Sequence, residues 1–279
     1  MDLLSRANDA LNANPPIGVA EALSGHGSDW LWAVTAIYIV AFFGTLIPCF
    51  TAPESDRVFH YLLTMSLLVG SVTYFAQASD LGWIALQDAQ HSTTRQIFYA
   101  RYINWTVSFP SLALALGLLS GISWTTIILN IFCSWFWVLN YLVAALVTTD
   151  YKWGFFAFGT FAYIILAMST LNESREAAER LGIARDYMTL SLPVNVLWLL
   201  YPIAFGLSDG GNVIHVTSGF IFFGVLDVLL GPVVCVLFVL MTRKWDFKKL
   251  NLAFSEARHP VAESVKEPAL VGEGGRNDA

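Results

Sequence analysis

Residues 219–240 read GFIFFGVLDVLLGPVVCVLFVL, an apolar run that contains one acid, Asp227, and no base. A stretch of this length matches the roughly 20 residues that carry a helix across the hydrocarbon core of a bilayer. A carboxyl in its middle costs a few kcal/mol in hydrocarbon, on the order of 2–4, so it calls for a partner or a task. Gly231 follows Asp227 by four residues and shares its helical face, with Gly224 close to it.

Reading outward, the same signal recurs along the chain. Spans are expected at about 29–50, 58–79, 97–119, 124–148, 153–171, 189–207 and 213–242. The composition agrees, being 56% hydrophobic and 13% charged over 279 residues, which is too apolar for a soluble all-helical domain. Strands of a membrane barrel would be shorter and would alternate in polarity, which these runs do not. The fold class expected is therefore all-α, a seven-helix membrane bundle over residues 29–245. A polar segment, 1–28, precedes it, and a polar, Gly-rich tail, 246–279, follows and reads as disordered. The first residues lack the basic-then-apolar order of a cleavable leader, so the first span is expected to act as its own insertion signal.

Placing the N-terminus outside puts nine basic residues in the inner loops and tail, among them Arg57, Arg175, Arg180, Arg243 and Lys244. Arg6, Arg95 and Lys152 then lie outside. That bias predicts N-out and C-in. The net charge of −6 is divided between two sides of a membrane and specifies no partner, nucleic acid included. Cys49, Cys133 and Cys235 fall within spans without metal-ligand spacing and read as packing residues. No dinucleotide fingerprint, P-loop, zinc-protease motif or nucleophile elbow is present, so no enzymatic activity is expected.

Most connections are short, which makes consecutive spans neighbours in one bundle. The stretch LGWIALQDAQHSTTRQ, 81–96, alternates enough for a small hairpin. The stretch NESREAAERLGIARD, 172–186, reads as a charged helical extension of the fifth and sixth spans, its charges a solvated face. No internal repeat of the transporter type is visible.

Helical spacing assembles a candidate site. Arg101, Asn104, Trp105 and Ser108 share one face of the third span; Trp198, Tyr201, Pro202 and Phe205 form another on the sixth, where Pro202 predicts a kink. Tyr74 in the second span is expected to point inward. Arg101 and Asp227, opposite charges on different helices, are expected to approach directly or through water. His60 and His215, near span ends, are expected at the membrane interface.

Three segments resemble one known family. Arg101-Tyr102-Ile103-Asn104-Trp105 with Pro110, Trp198-Leu199-Leu200-Tyr201-Pro202, and Leu226-Asp227-Val228 with position 231 resemble the third-, sixth- and seventh-helix signatures of microbial-type (type I) rhodopsins, over about residues 29–245. The resemblance implies a bacteriorhodopsin-like bundle in which Trp105 and Trp198 sandwich a retinal polyene. Tyr74, Tyr201 and Asp227 would shape the polar end of the pocket, Arg101 would be the gating cation below it, and Phe205 would add an aromatic wall.

The departures from that pattern bear on function. Gly231 stands at the position of the retinal-bonding lysine, and Lys152, Lys244, Lys248, Lys249 and Lys266 all fall in loops or the tail. Asn104 stands where a proton pump has its acceptor carboxylate, and an amide takes up no proton at useful pH. Ala115 occupies the donor position and Gly219 a release position. This pattern is similar to that of fungal opsin-related proteins, including heat-shock opsin-like ones. It implies a multi-pass plasma-membrane protein with no covalent cofactor and no light-driven pumping. Its stress-linked regulatory role would run through lipid or membrane-protein contacts, a plasma-membrane proton pump or a second copy among them. Two alternatives stay open: non-covalent binding of retinal or another apolar ligand, for which Gly231 is expected to leave extra volume, and a passive ion pathway along Arg101, Asp227 and water. Restoring lysine at position 231 is expected to restore some retinal attachment, unless Leu229, Leu230 or Phe109 fills the space.

Overall fold

Local chemistry sets the helix boundaries in the computed structural model, which describes residues 8–52, 54–87 and 93–242. Asn8 accepts the Leu11 amide and opens a short helix, α1 (Asp9–Ala13). Ser24 accepts the Gly27 amide and opens α2 (Gly25–Cys49), so the first span begins earlier than the composition change suggested. After α3 (Glu54–Ala78) comes an antiparallel hairpin, β1 (Ile84–Gln87) and β2 (Thr94–Ile97), with Ile84 opposite Ile97 and Gln87 opposite Thr94. Helix α4 (Tyr99–Ser120) ends on Gly121, whose φ of 70° places it in the left-handed region that glycine adopts without strain. Ser123 then caps α5 (Trp124–Leu146).

The fifth span is composite. Helix α6 (Lys152–Met168) passes through a π-helical turn, Ser169–Glu173, into α7 (Ser174–Arg180). The sixth is α8 (Ala184–Leu207), which stays one helix through Pro193 and Pro202. The seventh joins α9 (Val216–Val228) to α10 (Val234–Thr242) through a second π turn, Leu229–Val233, which holds Gly231 and Pro232. The proline has no amide hydrogen to continue the α ladder, which accounts for the irregular turn there.

Among the described residues, seven helices are long and apolar enough to cross a membrane. They close into one bundle, each packing on its neighbours and the first on the last. The outside is aliphatic and aromatic, with Val40, Phe43, Phe132, Phe136 and Leu199 exposed to the apolar surroundings. The inside is where Trp105, Trp137, Trp198, Tyr74 and Tyr201 are buried.

The hairpin end carries a polar cap. The Ala20 and Glu21 amides donate to the Thr94 carbonyl, and Glu21 pairs with Arg95 at 3.0 Å. Gln96 ties three segments together: its carbonyl accepts the Leu23 amide at 2.6 Å and its amide donates to Asp80 at 2.9 Å. The second Asp80 oxygen is buried without a partner, and burial pushes this carboxyl above the usual range against the smaller opposing effect of Gln96.

Helix α7 is the expected extension, and Arg175 and Glu179 form an exposed pair on it at 3.4 Å. His60, six residues into α3 and so near that span's end, is 3% exposed on the face turned to the core, whereas His215 is exposed. The tail, with Arg243 and Lys244, lies outside the described residues.

Candidate functional site

Asp227 is the centre of the buried polar group, 3% exposed. Its Oδ1 accepts the Trp105 indole N–H at 3.0 Å and the Tyr201 hydroxyl at 2.6 Å, and its Oδ2 accepts the Tyr74 hydroxyl at 2.5 Å. Tyr38 on α2 donates to the Asp227 main-chain carbonyl at 2.9 Å and stacks on Tyr74, ring centroids 5.1 Å apart. One residue on the seventh span thus joins side chains from the first, second, third and sixth. Tyr74, Trp105, Tyr201 and Asp227 converge as expected, and Tyr38 was missed. A lone tyrosine in an apolar first span carries no signal of its own until its partner across the bundle is known.

Arg101 makes no direct ion pair with Asp227, so of the two approaches expected, directly or through water, the direct one is not formed. Its guanidinium binds Asp209, in the turn after α8, at 2.8 Å, and Tyr102 donates to the same oxygen at 2.8 Å. Phe223 provides the physical reason. It lies one turn before Asp227 and packs against Trp105 at 5.1 Å, while the Arg101 guanidinium sits 4.3 Å from its ring centroid and 4.5 Å from that of Phe220. The cation therefore rests on aromatic faces at the hairpin end, and the carboxylate is satisfied by neutral donors. Asp209 was legible only as an acid beside a span end, the class of residue most often solvated.

Trp105 and Trp198 do not face each other across an open slot. Phe109 stands between them: its ring stacks on Trp105 at 5.9 Å and 15°, and lies 5.9 Å from Trp198. Trp137, from α5, closes on Phe109 at 5.0 Å and on Trp198 at 6.3 Å. The Trp198 indole nitrogen is buried without a partner. Phe205 joins a different group, stacking on Phe156 at 5.6 Å and meeting Tyr141 at 4.6 Å, and Pro202 is half-buried on the same helix.

Gly231 does not leave extra volume, which corrects that expectation. A Cβ built there would lie 2.7 Å from the Tyr38 hydroxyl and 3.1 Å from its Cζ. The space that remains is a cavity of about 10 Å³, lined by Tyr38, Ser66, Ser108, Ser111, Asp227 and Gly231 among others, with room for one water. Asn104 faces Tyr38, and its side-chain oxygen has no partner. Among the described residues no cluster of three or more potential ligands could hold a metal.

A scan against protein families matches residues 27–243 to one described as bacteriorhodopsin-like protein. The opsin-like protein carO of Fusarium fujikuroi is 36% identical over 292 residues, covering 99% of this chain and 94% of that one. The 30 kDa heat shock protein of Saccharomyces cerevisiae is 30% identical over 295 residues, covering 94% and 86%. Among solved structures, a light-driven proton pump from Leptosphaeria maculans superposes with a TM-score of 0.76 at 30% identity, over 81% of this chain and 99% of that one.

Proposed function

The chain belongs to the bacteriorhodopsin-like family, and we propose that it is a member that uses the scaffold without photochemistry. It forms no Schiff base, binds no retinal, pumps no protons in light and catalyses no reaction. The observation that carries this reading is the occupation of the space a chromophore would need. Tyr38 sits against Gly231, and Phe109 stands between Trp105 and Trp198. Asn104 supports it further, because an amide at that position cannot accept a transferred proton.

The proposed role is one of contacts within the membrane, with lipid and with other membrane proteins. It is stress-linked, as the name of the Saccharomyces cerevisiae heat shock relative suggests. The proposed setting is the plasma membrane, N-terminus outside, with a proton pump or a second copy as the partner class. A passive ion pathway gains no support from a cavity of about 10 Å³ beside Asp227.

The test is a spectrum of the purified protein with and without added all-trans retinal. The expected result is the spectrum of free retinal alone. A red-shifted, hydroxylamine-sensitive band would require a protonated Schiff base and would sink the proposal. A bound but unshifted retinoid would contradict its no-ligand part, and dark currents across pH and voltage would reinstate the ion pathway.

A further inference from the structure

Helix α4 carries a proline, Pro110, inside its membrane-spanning stretch. A proline has no amide hydrogen, and its ring crowds the carbonyl four residues back. In α4 that carbonyl belongs to Thr106. Freed from the helical ladder within hydrocarbon, it needs a donor from a neighbouring helix, because no bulk water reaches that depth.

Helix α5 supplies the donor. The indole N–H of Trp135 meets the Thr106 carbonyl at 3.0 Å. Both residues lie on an apolar groove of about 810 Å³ at the outside of the bundle, with Phe132, Phe136, Phe158 and Phe161 along it. The groove offers little else for the task. The Thr106 hydroxyl is spent on the Tyr102 carbonyl at 2.7 Å, and the Cys133 thiol is a weak donor. Trp135 is 39% exposed, so burial alone gives no reason for an indole where its neighbours on the groove are phenyl rings.

The freed carbonyl adjoins the buried centre. Trp105, the residue before Thr106, is 1% exposed and donates to Asp227 at 3.0 Å. A helix bends where a proline interrupts its ladder. A bend at Pro110 swings the preceding segment, Trp105 included, against the rest of the bundle.

We propose that Trp135 clamps a proline hinge in α4. Its indole N–H stands in for the amide that Pro110 lacks, and by fixing the Thr106 carbonyl it positions Trp105 for the bond to Asp227. Trp135 is a positioning residue that acts from the lipid-facing surface on a centre it does not touch. Clamped, α4 keeps Trp105 on the carboxylate; released, it bends at Pro110 and draws Trp105 away. This inference concerns α4 and α5 and holds whether or not the protein binds retinal.

The test uses the full-length protein in lipid nanodiscs. Trp135→Phe keeps the aromatic contact and removes the donor. Its Tm should fall by about 2–12 °C, the effect of one unsatisfied buried carbonyl. The Trp105 indole N–H resonance, assigned by its loss in Trp105→Phe, should shift and lose protection from exchange with deuterated water. In a Pro110→Ala background the alanine amide can meet the Thr106 carbonyl, so Trp135→Phe should cost less than half as much and leave the Trp105 resonance in place. Equal costs in the two backgrounds would overturn the clamp. An unmoved Trp105 resonance in Trp135→Phe would overturn the positioning role. If either substitution prevents folding, benzothienylalanine at position 135, which replaces the N–H by sulfur at nearly constant shape, decides: an unchanged Tm and Trp105 resonance would sink the proposal.

Discussion

Adding one methyl group tests the packing of the centre. In Gly231→Ala the new Cβ would lie 2.7 Å from the Tyr38 hydroxyl, closer than such atoms come in real proteins. Tyr38 has little freedom to retreat, since its ring stacks on Tyr74 at 5.1 Å and its hydroxyl is bonded to the Asp227 carbonyl at 2.9 Å. Overpacking of this kind costs about 1–3 kcal/mol. Loss of the hydrogen bond adds about 1 kcal/mol, and replacing glycine in a helix returns about 0.5–1 kcal/mol. The net cost is about 1–3.5 kcal/mol, a fall in Tm of about 2–14 °C for a chain of this size. Tyr38→Leu removes both the hydroxyl and the end of the ring, so in that background Gly231→Ala should be close to neutral. Thermal or denaturant unfolding of the four proteins in mixed micelles gives the coupling, expected at about 1–3.5 kcal/mol. Additive costs would refute the contact and, with it, the argument that Tyr38 occupies the chromophore space.

Three further outcomes are expected. Gly231→Lys alone should yield no retinal pigment, whereas Gly231→Lys with Tyr38→Ala and Phe109→Ala should yield a hydroxylamine-sensitive band; full pigment from the single change would show that the space was never filled. Arg101→Gln should cost about 3–5 kcal/mol by stranding the buried Asp209 carboxylate, and pairing it with Asp209→Asn should recover part of that loss in unfolding experiments. Because burial raises the Asp80 carboxyl above its unfolded value near 4, the folded state holds that proton more tightly, so stability contributed by this group rises as pH falls through the interval between the two values. Asp80→Asn should flatten that part of a Tm-against-pH curve, and an unchanged slope would locate the titration elsewhere.

The sequence carried the architecture because its hydrophobic runs are set by bilayer thickness, a constraint that acts on each span separately. The hairpin was legible from alternation, and the α7 extension from its charges. The π turns were not, since each depends on which backbone groups find partners in three dimensions. The Asp227 centre was half legible. Tyr74, Trp105 and Tyr201 could be placed on inward faces, but their common acceptor could not be distinguished from the cation Arg101, because helical phase gives direction and not depth. Asp209, Tyr38 and Trp137 escaped for a related reason. Each is ordinary within its own segment and acquires a role only through a neighbour on a distant helix.

The arrangement also bears on what a retained residue means. A carboxylate alone in a hydrocarbon-lined core would be costly. Here three neutral donors from three spans satisfy Asp227, and a fourth span holds its main-chain carbonyl. Hydrogen bonds to a charged acceptor contribute about 1.5–3 kcal/mol each, so this group ties five of the seven helices without any cation in contact. Tyr74, Trp105, Tyr201 and Asp227 therefore have a sufficient reason to be present that involves no chromophore. Their resemblance to a pigment site establishes descent of the scaffold and is silent on light. The positions that would report on photochemistry are those where the structural and the photochemical demands differ. At position 231 a glycine admits Tyr38, and at position 104 an amide stands where proton transfer needs an acid. At position 231 the residue present meets the structural demand, and under the proposed reading neither position meets the photochemical one.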